Sequence, residues 1–193
     1  MNPLIDGCPG TVEIGGQPVP IRTDFRVWIM LEQLALDSTV QPPQRAPLML
    51  NLCYPTIPQD FDAAMRAILW FYFCGRDLED AKQRAHGGKQ QKIYDYDCDA
   101  GLIIAAFWHD YQMDLTQANL HWWVYKSLFD GLSADNQFCK VLSYRTMDTS
   151  KLKGKSRALY DRLKKQYALP VPHEEREKLD AVAKYLTNTY EGR

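Results

Sequence analysis

The chain has 193 residues, 46% of them hydrophobic and 24% charged. That is an ordinary globular composition, long enough for one domain, with or without an appendage, that buries roughly 70% of its unfolded surface. A formal net charge of −1 excludes a whole-molecule electrostatic attraction to nucleic acid or to a membrane.

The first predicted element is a hairpin. Residues 11–21 alternate in polarity about Gly15-Gly16, so Val12 and Ile14 answer Val19 and Ile21, and Pro18 and Pro20 mark the second strand as an edge. Thr23 or Asp24 then caps a helix with Phe25, Trp28, Ile29, Leu31 and Leu34 on its apolar side. Residues 38–47 read as a proline-containing loop, with Pro47 starting a short helix that Tyr54-Pro55 ends. Asp60 caps the next helix, whose apolar face carries Phe61, Met65, Ile68, Leu69 and Tyr72, and Gly75 stops it. From Ile68 to Cys74 that helix is apolar nearly all round, as a central or partner-covered helix is.

Residues 76–92 are charged around Gly87-Gly88 and read as a linker. Residues 93–169 read as four helices. Asp97 or Asp99 starts the first, ahead of Leu102, Ile103, Ala106 and Phe107; Thr116 starts the second, with Leu120, Trp123, Val124 and Leu128 inward and Gly131 after it. Asp135 caps the third, over Phe138, Val141 and Leu142, and Ser150 or Ser156 begins the fourth, with Leu159, Tyr160, Leu163 and Tyr167 on one side. Residues 170–193 form a tail with a narrow Leu179, Val182, Leu186 stripe. The expected architecture is mainly α: a compact multi-helix bundle with a small N-terminal β-hairpin, divided as 1–75, the 76–92 linker, 93–169 and the 170–193 tail.

Motifs for chemistry are weak. Gly154-Lys155-Ser156 lacks the glycine five residues earlier that a phosphate-binding loop needs and follows a helix instead of a strand. Asp95, Asp97 and Asp99 have the spacing that opens a calcium loop, but Ala100 stands where its glycine belongs and Ala106 where its bidentate Glu belongs. Carboxylates at a helix N-terminus explain them more simply. The four histidines have no metal-ligand spacing, and the five cysteines, odd in number and without a CxxC pair, suit a reduced protein with buried thiols. The expectation is a non-enzymatic, intracellular protein without catalytic, cofactor-binding or metal-binding residues. Its N-terminus lacks the pattern of a signal peptide, and its longest apolar run is too short to span a bilayer.

The aromatic clusters are the stronger signal. Trp70, Phe71, Tyr72 and Phe73 are consecutive, as are Trp122 and Trp123. Adjacent helix residues diverge by about 100°, so a helix packed on one side cannot easily bury them all. They are therefore expected either in a core between several helices or on a groove for an amphipathic helix. In a helix running from Thr116 to Asp130, Trp123 would be core and Trp122 the more exposed ring. A second feature is basic: residues 140–168 carry nine Lys or Arg against two Asp, +7 locally and −8 for the rest of the chain. Its patch is Lys151, Lys153, Lys155, Arg157, Arg162, Lys164 and Lys165. A solvated helix face, an acidic partner and, less well, nucleic acid all fit it.

A resemblance adds to this. Asp95-Tyr96-Asp97, Ala105-Ala106-Phe107, Leu120-His121-Trp122-Trp123, Tyr144-Arg145 with Asp148, Ser150 and Lys151, then Leu163-Lys164-Lys165 and Tyr167-Ala168-Leu169 follow a familiar order. The chain resembles small proteins of long-tailed phages and prophages of Gram-positive bacteria. Their genes lie just upstream of the tape-measure gene, and they are regarded as tail assembly chaperones. The resemblance implies that the chain binds the tape-measure protein and keeps it soluble, in the cytoplasm of the bacterial host. A second chaperone, or a frameshifted form of one, would be a further partner. A structural virion component, such as a connector or tail-completion subunit, is the alternative, and a DNA-binding protein using residues 140–168 the third reading.

Overall fold

Gly15 and Gly16 both hold positive φ, +59° and +74°, and close a two-residue turn between Thr11–Ile14 (β1) and Gln17–Pro20 (β2). Two positive φ values in sequence suit glycine and match the twist of the flanking strands. The strands pair antiparallel with Val12 opposite Val19, as expected, but Ile14 faces Gln17. Val12 and Ile14 turn into the core while Thr11 and Glu13 face outward.

The computed structural model describes residues 2–76 and 93–170. Among them are eight α-helices: α1 (Pro3–Asp6), α2 (Phe25–Leu36), α3 (Pro42–Cys53), α4 (Phe61–Tyr72), α5 (Ala100–Tyr111), α6 (Trp122–Asp130), α7 (Gln137–Thr146) and α8 (Gly154–Gln166). A 3₁₀ turn, Thr149–Lys151, precedes α8. The fold is the mainly helical one with a small N-terminal hairpin that the sequence predicts. The expected linker lies outside the described residues except for Arg76, and the tail lies outside them except for Pro170.

Several starts fall where polar side chains satisfy the free N–H groups of a first turn. Asp24 accepts from Arg26 N–H at 2.8 Å, Asp60 from Ala63 N–H at 2.9 Å and Asn136 from Cys139 N–H at 2.9 Å. The third start thus belongs to Asn136 and not to Asp135. Helix α3 begins at Pro42 and contains Pro47, the residue expected at its start. The pair Pro42-Pro43 needs no N–H donors in the first turn, so the helix begins there and forgoes one later bond at Pro47. Helix α8 begins after Lys153, because Ser150 is occupied by Asp148, whose carboxylate accepts from Ser150 N–H at 3.1 Å and from its hydroxyl at 2.6 Å.

The largest departure concerns α6. Thr116 does not start it; its N–H and hydroxyl are held by Asp114 at 2.8 and 2.7 Å. The helix begins at Trp122, with His121 as its cap. Trp122 N–H donates to Thr23 C=O at 2.7 Å and Phe25 N–H donates to Leu120 C=O at 3.1 Å, so the start of α6 is stitched to the start of α2.

One buried cluster takes residues from both sides of the undescribed segment 77–92, from Val12 to Phe138. The two halves therefore share a core. Aromatic rings make the join. Trp28 of α2 stacks on Phe71 of α4 with centroids 4.6 Å apart, and Phe25 stacks on Tyr125 of α6 at 4.7 Å. Tyr125 stacks in turn on Phe107 of α5 at 5.4 Å. Each such ring contributes about 1.5–3 kcal/mol by burial, with about 0.5–1.5 kcal/mol more from ring geometry.

Candidate partner-binding surface

The six aromatics expected to form a partner groove lie together, but mostly inside. Phe71 and Trp122 are fully buried and Trp123 is 3% exposed, while Trp70, Tyr72 and Phe73 are half-buried. The expectation that Trp122 is the more exposed ring is overturned, because the helix starts at Trp122 itself. A start six residues later than Thr116 removes the preceding turn and delivers both indoles to α4. Trp122 Nε1–H donates to Tyr72 C=O at 2.9 Å and Trp123 Nε1–H donates to Phe71 C=O at 2.8 Å. These carbonyls lie in the last turn of α4, where few main-chain donors remain; Phe71 C=O also accepts from Cys74 N–H at 3.0 Å, and the tandem indoles complete the cap of the C-terminus of α4. The ring of Trp123 then lies over Gly75, whose φ is +75° and where an added Cβ would sit 2.9 Å from Trp123 Cη2.

His121 completes this junction. Its Nδ1 accepts from Trp123 N–H at 3.0 Å, which leaves the proton on Nε2, 2.9 Å from Pro9 C=O. Burial holds its pKa below the usual histidine value, partly offset by the Pro9 carbonyl.

What α2, α3 and α4 leave open is an apolar groove of about 540 Å³. Its exposed rim is Leu36 (59% exposed), Leu69 (39%) and Ile93 (37%), with Met49 and Met65 half-buried within it. Methionine is unbranched and fills irregular gaps, which suits a surface that accepts more than one sequence. Among the described residues Glu32 is the one charged lining residue, and Tyr72 O–H donates to its Oε2 at 2.7 Å. Burial, then the neighbouring Glu32, pushes the Tyr72 hydroxyl far above the usual range, so it stays protonated as the donor of this bond. Of the six expected contact residues, only Tyr72 lines this groove. The remaining signal in the sequence was the Leu36, Leu69 and Met65 set, which reads as ordinary helix-face periodicity.

The basic patch lies on the opposite kind of surface. Lys151, Lys153, Lys155, Arg157, Arg162 and Lys165 are exposed, and Lys164 is half-buried with its Nζ 3.2 Å from Met147 C=O. Helix α8 buries no residue fully, and Leu159, expected to face inward, is 54% exposed. The helix is held through Tyr160 and Tyr167, whose rings lie 6.3 and 5.8 Å from Tyr144 of α7. Lys151 and Arg157 each have an exposed carboxylate 3.7 Å away, Asp148 and Asp161. Such pairs are worth little in stability and dilute the positive field.

The acidic triplet is structural. Asp95 Oδ1 accepts from Asp97 N–H at 2.9 Å and Cys98 N–H at 2.8 Å, while Asp99 is buried against Arg145. Among the described residues no group of three or more His, Cys, Asp or Glu is placed to hold a metal ion, and no helix is long and apolar enough to cross a membrane. Asp110, which no sequence motif marks, fixes the loop before α7. Its carboxylate accepts from Ser133 N–H at 2.7 Å and Asn136 Nδ2 at 3.0 Å, and with His109 beside it its pKa is held well below the usual range.

Comparison with curated proteins and with solved structures finds no match. The family model described as Bacteriophage Gp15 protein matches residues 4–169, which spans both halves of the shared core and every described helix but the outermost residue of α1. The chain belongs to this bacteriophage protein family.

Proposed function

We propose that the chain is a non-enzymatic tail assembly factor that binds the tape-measure protein of its phage and keeps it soluble in the bacterial cytoplasm until tail-tube subunits replace it. The observation that carries this reading is the apolar groove between α2, α3 and α4. An amphipathic helix laid into such a groove buries apolar area worth about 25 cal/mol per Å², less the ordering cost of association. The half-buried methionines and the single carboxylate favour moderate, displaceable binding over tight, sequence-specific binding. This groove takes the place of the tandem tryptophans as contact surface, because buried indoles that close α4 cannot be reached without unfolding the junction.

Co-expression with the tape-measure protein tests the reading. A larger soluble tape-measure fraction in the presence of this chain is the expected result; an unchanged fraction would count against it. Mass spectrometry of purified particles separates the structural alternative, since an assembly factor is absent from mature virions and a connector is present in fixed ratio.

A further inference from the structure

The two edges of the hairpin are not equivalent. In a two-residue hairpin the closing pair, here Ile14 and Gln17, exchanges both hydrogen bonds, and bonded pairs then alternate with unbonded ones. Val12 and Val19 are therefore a bonded pair, while Glu13 with Pro18 and Thr11 with Pro20 are unbonded pairs whose main-chain groups point away from the partner strand. On β2 both outward positions are prolines, which supply no N–H, so that edge cannot carry a ladder. On β1 the outward positions are Thr11 and Glu13, each with a free donor and a free acceptor. Among the described residues no group bonds these N–H or C=O groups.

The open edge borders a cleft of about 820 Å³ lined by Thr11 and Glu13 of β1, by Pro18 of β2 and by the Ala63, Ala67 and Trp70 side of α4. A strand of four residues, at about 3.3 Å rise, about 4.8 Å spacing and about 10 Å depth, fills roughly 600 Å³. The cleft therefore admits one strand. A second copy of this chain would bring β1 already paired to β2, roughly 1,300 Å³ before its helices are counted. Glu13 and Arg66 are the charged lining residues and balance each other, so the unpaired main chain selects the occupant.

We infer that β1 receives an extended segment of a partner protein, which adds as a third strand in the cleft beside α4. Its outward main chain bonds Thr11 and Glu13, and its side chains alternate small apolar residues toward Ala63 and Ala67 with polar residues toward solvent. This surface is separate from the groove lined by Leu36 and Leu69 and does not depend on the tape-measure reading.

The test uses the full chain, labelled with ¹⁵N, and a capped seven-residue peptide with Val at alternate positions, Thr between them and Lys at both ends. Amide exchange at Thr11 and Glu13 should slow by at least about tenfold at saturating peptide, with Val12 already slow in its absence. Methylating every second peptide amide should abolish binding in one phase and leave it in the other, because only alternate amides of an added strand face β1. Glu13→Pro, which gives β1 the device β2 already has, should weaken binding by about tenfold or more with the fold retained. No slowing at millimolar peptide, or equal binding by both methylated phases, would overturn the proposal. So would protection of Thr11 and Glu13 without peptide in a chain that sediments as a dimer, which would put a second copy on the edge.

Discussion

Arg145 holds Asp99 with two hydrogen bonds, Nη1 to Oδ2 at 2.6 Å and Nη2 to Oδ1 at 2.8 Å, and the carboxylate is 2% exposed. The same guanidinium donates to Ile93 C=O at 3.0 Å and, through Nε, to Tyr167 C=O at 2.6 Å. One side chain of α7 thus fixes the start of α5, the residue after the undescribed segment, and the end of α8. Only Arg presents a planar fork with donors enough for this set. Asp99 stands at the N-cap position of α5 but makes no capping bond there, because both oxygens are committed to Arg145 and Asp95 N–H.

Removing Arg145 should therefore be costly. Arg145→Ala leaves a buried carboxylate with no counter-charge, held only by Asp95 N–H, and takes the guanidinium donors from two carbonyls, and should lower stability by about 3–5 kcal/mol. Arg145→Lys keeps the charge but not the fork, and should recover only part of that. Urea melts of the three proteins check it; a Lys variant as stable as the parent would mean that charge alone matters at this site.

The tandem tryptophans should behave alike. Trp122→Ala and Trp123→Ala should each cost about 3–5 kcal/mol, as large aromatic truncations in cores do. Replacement by Phe retains most of the packing and removes the indole N–H from a carbonyl at the end of α4, for a smaller loss of about 1–3 kcal/mol. Paired melts of all four variants test this. A near-neutral Trp122→Ala would show that its ring is not part of the core.

His121 predicts an acid-side loss of stability. Its folded pKa lies below the value of about 6.5 it takes when unfolded, so the folded chain binds fewer protons in that range. The stability it supports is fully present above about pH 6.5 and is lost as pH falls through that value toward the lower folded pKa. Protonation also puts a hydrogen on Nδ1, which then cannot accept from Trp123 N–H. His121→Asn retains a capping oxygen without the titration. The urea midpoint of the parent should fall more steeply between pH 7 and 5 than that of the Asn variant; parallel slopes would remove His121 from the account.

Much of the fold is legible because its local signals agree with its packing. Gly15-Gly16 specify the hairpin, and Asp24 and Asp60 cap their helices, but of the apolar face expected for α4 only Ile68 is buried, beside Ala64, Ala67 and Phe71, while Met65, Leu69 and Tyr72 line the groove and Phe61 is exposed. The failures have local causes too. Histidine is a poor capping signal, whereas Thr116 is a good one, so the start of α6 moves and with it the side each tryptophan faces. Tertiary partners decide the point: His121 caps because Pro9 fixes its tautomer, and Trp122 opens the helix because Thr23 takes its N–H. The shared core is illegible for a similar reason. The indoles close α4 across about fifty positions of sequence, a separation that no local pattern records. The apolar groove was missed because its exposed residues sit among ordinary core-face periodicity, while the conspicuous aromatics were consumed by the core.

On the proposed function the tape-measure protein enters the groove between α2, α3 and α4 and not the tryptophan junction. The most direct measurement is the affinity of that protein for the chain carrying Leu36→Asp and Leu69→Asp together, beside the parent. Both positions are exposed, so the urea melt should shift by no more than about 1 kcal/mol. Binding should weaken by about tenfold or more, because two charges then face an apolar helix. Unchanged affinity in a variant that folds as well as the parent would contradict the account.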